Sequence, residues 1–140
     1  MRKDLLAFAV ALSIALGGWA CGNPPAGRGP EAEAAIPVRD VLAAPSKYDG
    51  EVVRLCGYFN AEYEGTALFP AAEDARAHRA TRGVWISVTW PLAPEVGKLG
   101  GQYVLVRGRF RAGARGSFIG ELQDRGDMVP VGTATQCLPD

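Results

Sequence analysis

The sequence has one histidine, His78, and three cysteines in 140 residues, and only two lysines, Lys47 and Lys98, beyond its N-terminal Lys3. A single His with no Cys-x-x-Cys pair does not supply the ligand set of a structural zinc site or the thioredoxin-type redox motif. His78 lies between Arg76 and Arg79 in a polar stretch. No Ser or Cys sits in a nucleophile motif that needs it as a base, so it reads as a solvated residue and no enzyme is expected. No phosphate-cradling glycine loop occurs, and the 18 glycines gather at bends and turns. No cofactor and no metal site is expected. An excess of either charge is also missing, with 15 basic and 15 acidic residues overall, and 13 against 14 beyond residue 20. That excludes a polyelectrolyte and opposes nucleic acid as a partner, because phosphate-backbone binding needs a concentrated basic surface. The longest apolar run, Leu5–Leu16, has 12 residues broken only by Ser13. A membrane-spanning helix needs roughly 20.

That short run does have a meaning. Met1-Arg2-Lys3 gives it a positive start and Gly17-Gly18-Trp19-Ala20-Cys21 follow it, so residues 1–20 read as a signal peptide. Its end resembles a bacterial lipoprotein signal, in which the Cys after the cut receives lipid and becomes the first mature residue. The resemblance implies palmitate-type acylation of Cys21 and a membrane partner through that anchor. With Gly22 in place of Asp, it further implies residence at the periplasmic face of the outer membrane. Gly18-Trp19-Ala20 departs from the usual pattern, which has Leu first and a small residue second. Gly18 and Ala20 also satisfy an ordinary small-x-small site, which would leave a secreted or periplasmic soluble protein. Residues 21–36 are rich in Pro, Gly, Ala and Glu and read as a flexible tether. The remaining residues, 37–140, form the domain.

Export places the chain in an oxidising compartment. With Cys21 assigned to lipid, Cys56 and Cys137 are expected to form a disulfide.

Within the domain, Pro37–Tyr48 carries Val38, Val41 and Leu42 at helical spacing after a proline, which predicts a short helix ended by Pro45. Two later segments, Gly50–Ala61 and Gly101–Ala112, both read G-x-x-V-x-[LV]-x-G-x-F-x-A. Period 2 puts Val53, Leu55, Gly57 and Phe59 on one face of the first, and Val104, Val106, Gly108 and Phe110 on one face of the second. A glycine at the same inward position of each predicts a sharp bend where another backbone comes close. Thr66–Phe69, Val84–Trp90 and Gly116–Leu122 supply three more strands. Ala71–Ala80 reads as a polar helix between the second and third strands, while Pro91–Gly100 is too rich in Pro and Gly for a firm helix. Five short curved strands fit a closed barrel, which removes exposed edges. The expected class is all-β with short helices.

The arrangement resembles the OB-fold, a five-stranded Greek-key barrel, on the strength of the two repeated strands at Gly50–Phe59 and Gly101–Phe110, over roughly residues 37–130. It looks most like the small exported bacterial OB-like domains, often lipoproteins, that have no assigned activity. The helix between strands two and three departs from that fold, which places its helix between strands three and four.

Three sets of residues are candidates for binding. Arg107, Arg109 and Arg111 alternate along one outward strand face, with Arg115 beyond, and could hold a phosphate, carboxylate or anionic sugar; a solvated face paired with acids such as Glu121 has the same pattern. Glu62, Tyr63 and Glu64 lie in the loop after the first strand, where they suit a cation or sugar, or are simply solvated. Trp85, outward on the third strand, could join Tyr58 and Tyr103 in an aromatic platform. Its neighbour Trp90 shares the inward face with Val84, Ile86 and Val88 and is expected in the core. The reading that results is a non-enzymatic, membrane-tethered envelope lipoprotein whose OB-like module binds an envelope protein or a small anionic or carbohydrate ligand. The alternative is single-stranded nucleic-acid or oligosaccharide binding through the barrel face.

Overall fold

A computed structural model describes residues 34–137. The expected signal peptide, the lipid attachment at Cys21 and most of the tether lie outside them. The described chain opens with a two-residue strand, β1 (Ile36–Pro37), and helix α1 (Val38–Ala43). Pro45 ends α1 as expected, and also opens a second helical turn, α2 (Pro45–Tyr48), at whose first position its missing N–H costs nothing. Next come β2 (Val52–Asn60), β3 (Ala67–Phe69), α3 (Ala72–Arg76), a 3-10 turn at Ala80–Arg82 and β4 (Val84–Ile86). Helix α4 (Pro94–Gly97), β5 (Gln102–Arg115), β6 (Phe118–Gln123) and β7 (Met128–Pro130) follow, and a 3-10 turn at Ala134–Cys137 closes the described chain.

Five of these strands close on themselves in the order β2-β3-β4-β6-β5 and back to β2. All pair antiparallel except β4 with β6. The result is a small OB-like Greek-key barrel preceded by a short helix. The repeated segments become β2 and β5, and they pair with each other, Val53 opposite Gly108 and Gly57 opposite Val104. Their inward residues are buried throughout and join Leu68, Val84, Ile86 and Leu122 in one core, to which α1 adds Val38 and Val41 and α4 adds Val96. Both glycines mark close approaches. A Cβ at Gly57 would stand 2.8 Å from the Phe69 carbonyl oxygen and 2.7 Å from a Val38 methyl. One at Gly108 would stand 2.7 Å from the Gln123 carbonyl oxygen.

Three local expectations need correction. The Pro91–Gly100 segment does hold a helical turn, α4, because Pro94 sits at its first position and Val96 anchors it in the core. This puts a helix between the third and fourth barrel strands, where the OB-fold has one. The polar helix predicted over Ala71–Ala80 is only five residues long. It ends at Arg76, and Asp74 within it, 4% exposed, accepts from Arg79 Nη1 at 3.2 Å and Arg82 Nε at 2.9 Å, which holds the following turn. Finally, β4 stops at Ile86, so period 2 does not carry Trp90 inward; the residue is 37% exposed.

The Cys56–Cys137 disulfide is present, with its Cα atoms 5.2 Å apart. Cys56 is on the outward side of β2, yet both cysteines are buried, because the C-terminal turn lies over that strand.

Candidate functional site

The loop from β2 to β3 is held from within. Asn60 Nδ2 donates to the Gly65 carbonyl at 2.8 Å, and the buried Thr66 hydroxyl donates to the Glu62 carbonyl at 2.9 Å. Glu64 takes a left-handed backbone, φ 60°, at the turn. These bonds leave Glu62, Tyr63 and Glu64 all exposed, Tyr63 at 70%. Trp90 approaches from the segment after β4, and the two rings meet edge to face with centroids 5.4 Å apart and planes at 82°. His78, also in a left-handed conformation (φ 49°) just past α3, places Nδ1 3.9 Å from Glu62 Oε2. Sequence reading found the loop and missed Trp90. The signal was Pro91, which cannot donate to a sheet ladder and so argued against a strand running on to Trp90.

The arginine stripe is outward on β5 as expected, with Arg107, Arg109 and Arg111 all exposed. Arg109 is engaged: Nη1 donates to the Gly50 carbonyl at 2.7 Å, and Nε lies 4.0 Å from Asp124 Oδ2. The acid expected to face the stripe, Glu121, is taken by Arg115 instead. It also accepts from the Ser87 hydroxyl, and from Gln123 Nε2 at 3.1 Å. Burial alone would raise the Glu121 pKa, but the Ser87 and Gln123 hydrogen bonds and the Arg115 charge outweigh it and hold the carboxyl below its ordinary value. One basic residue on the same outer face was not singled out: Arg54 of β2 stands directly opposite Arg107. Period 2 along β2 places it there, but only the pairing register reveals its neighbour.

Trp85 is half-buried. Its ring lies edge to face with Phe118 at 5.3 Å, and the Arg115 guanidinium sits over it at 5.1 Å. Tyr58 and Tyr103 meet each other at 5.5 Å. Tyr58 and Phe118 both pack on a small second cluster formed by Ala67 and Phe69 of β3 with Ala75 of α3. No ring pair among the described residues joins the two tyrosines directly to Trp85, so the expected platform is split in two.

Two candidate surfaces result. The first is an exposed aromatic pair flanked by carboxylates at the β2–β3 loop, and the second is a basic strip along β2 and β5. Among the described residues no group of three or more His, Cys, Asp or Glu is arranged to hold a metal ion. No family model, curated protein or solved structure matches the chain.

Proposed function

We propose that this chain is a non-enzymatic envelope lipoprotein, tethered to a membrane through Cys21, whose OB-like barrel binds a carbohydrate segment at the Tyr63–Trp90 surface. The observation that carries this reading is the exposed, mutually oriented ring pair beside Glu62. Keeping a large apolar side chain out of the core forgoes about 1.5–3 kcal/mol of burial. A ligand whose apolar face stacks on the rings recovers part of that. Glu62 and Glu64 accept hydrogen bonds from sugar hydroxyls, and the same carboxylates repel a phosphate backbone. They therefore favour the oligosaccharide over single-stranded nucleic acid. The loop's internal hydrogen bonds order the backbone that carries Tyr63 before any ligand arrives, which lowers the ordering cost of binding.

The test is a tryptophan-fluorescence titration of the mature chain, made soluble by Cys21→Ser, with oligosaccharides released from the bacterial envelope. Trp90→Ala and Tyr63→Ala are each expected to weaken binding by about tenfold or more, as loss of a central aromatic anchor does. Trp85→Phe should leave the affinity unchanged. If no oligosaccharide binds but a protein is captured through Trp90, the ligand is a protein partner. Binding of neither kind at this surface would remove the reading.

A further inference from the structure

The Tyr63–Trp90 surface carries a charge imbalance that its neighbours do not correct. Glu62 and Glu64 flank Tyr63 in the chain, and both are exposed. Residues 60–66 include no basic side chain, and residues 87–92 around Trp90 include no charged one. Arg79 and Arg82, the arginines that follow His78, are committed elsewhere, since both donate to Asp74. Among the described residues the Glu64 carboxylate has no hydrogen bond or ion pair, and the Glu62 carboxylate has only His78 Nδ1 at 3.9 Å. The rings add to the same sign. With planes at 82° and centroids 5.4 Å apart, their faces stand at a right angle and form two walls of an open corner. Each face is the negative side of an aromatic quadrupole, which attracts a cation within about 6 Å of the ring centre. A neutral sugar uses the apolar area of the rings but not the formal charges beside them. A cationic sugar uses both.

We propose that the sugar this surface selects is an amino sugar with an unsubstituted ammonium, seated against the Tyr63 and Trp90 faces with Glu62 and Glu64 as its counter-ions. The inference rests on the carbohydrate reading above and adds the sign of the ligand's charge to it. An ammonium donates charge-assisted hydrogen bonds to a carboxylate, which are stronger than those from a sugar hydroxyl. His78, when protonated, competes for Glu62, so Glu64 is the freer counter-ion. An N-acetylated sugar has no such cation and gains nothing from either charge.

The test uses the mature chain with Cys21→Ser and follows the backbone amide NMR signals of the loop. The probes are the glucosamine tetramer of chitosan, cellotetraose, which has a hydroxyl in place of each ammonium, and trilysine. The glucosamine tetramer is expected to bind about tenfold more tightly than cellotetraose, as a cation–π contact and two exposed ion pairs together supply. Glu62→Gln and Glu64→Gln keep the shape and remove the charge. Each should weaken the glucosamine tetramer about threefold and leave cellotetraose unchanged. The preference should shrink as salt rises. Trp90→Ala should weaken both tetramers, and Glu51→Gln, at the opposite end of β2, should change neither. Unaltered thermal midpoints show that each variant is folded. Equal affinities for the two tetramers, both lost in Trp90→Ala, would overturn the charge selection and leave the carbohydrate reading standing. If neither tetramer binds, the proposal is overturned, and the titration with envelope oligosaccharides decides the carbohydrate reading separately. It is also overturned if trilysine binds as tightly through the same residues, which would identify a protein cation, or if Glu51→Gln costs as much as Glu64→Gln.

Discussion

β2 and β5 carry one sequence pattern and use it differently. On the inside they are equivalent: each puts two branched aliphatics, a glycine and a phenylalanine into the core, and each glycine lies opposite the other strand's valine. What fills the space at each glycine differs. At Gly57 it is Val38 of α1 and the β3 backbone, and at Gly108 it is Leu122 and the backbone of β6. Outside, the position that is Cys56 in β2 is Arg107 in β5. One strand is stapled to the C-terminal turn and the other displays charge. The repeat therefore specifies curvature and closure, which a barrel needs from both strands, and leaves the outer face to diverge toward a disulfide on one strand and exposed charge on the other.

Removing the staple that only β2 carries should have the largest effect. The bridge closes a loop of sequence separation 81, and Cys56→Ser with Cys137→Ser should cost about 4–5 kcal/mol in the chain-entropy account. Denaturant unfolding under non-reducing conditions measures it. The matched inward phenylalanines come next. Phe59→Ala and Phe110→Ala should each cost about 3–5 kcal/mol, and a large inequality between them would break the inner equivalence of the two strands. Gly57→Ala and Gly108→Ala should each cost about 1–3 kcal/mol through overpacking against a neighbouring backbone, again nearly equally. The smallest effect concerns the charged side. Glu121, held by Ser87, Gln123 and Arg115, has a folded pKa below its unfolded one. Its contribution is therefore fully present above the ordinary carboxylate range and is lost as pH falls through the lowered value. The stability difference between the protein and Glu121→Gln should be about 1 kcal/mol or less at pH 7, given how exposed Arg115 is. It should shrink on acidification below about pH 4. A difference that grows on acidification would contradict the assignment.

Much of the barrel can be read from residue order because its signals are local. Alternation and a repeated glycine mark β2 and β5, and the bounded apolar runs mark β3, β4 and β6. The features that escaped are those that tertiary neighbours decide. β1 and β7 are two and three residues long and exist through pairing with β2 and β5. α4 is a single turn secured by Val96, and its Pro94 looks like a breaker until it is placed at the first helical position. The candidate surfaces divide in the same way. The Glu62–Glu64 loop and the arginine stripe follow from sequence. That Trp90 meets Tyr63, and that Arg54 faces Arg107, depends on contacts between segments 27 and 53 residues apart.

The measurement that bears most directly on the proposed export and lipid tether of this disulfide-bridged barrel is the intact mass of the protein recovered from cells. The expected chain begins at Cys21, carries added acyl mass on that residue, and is two hydrogens lighter for the Cys56–Cys137 bridge. A chain that begins at Met1 with both downstream thiols free, or one that begins at Cys21 without acyl mass, would contradict it.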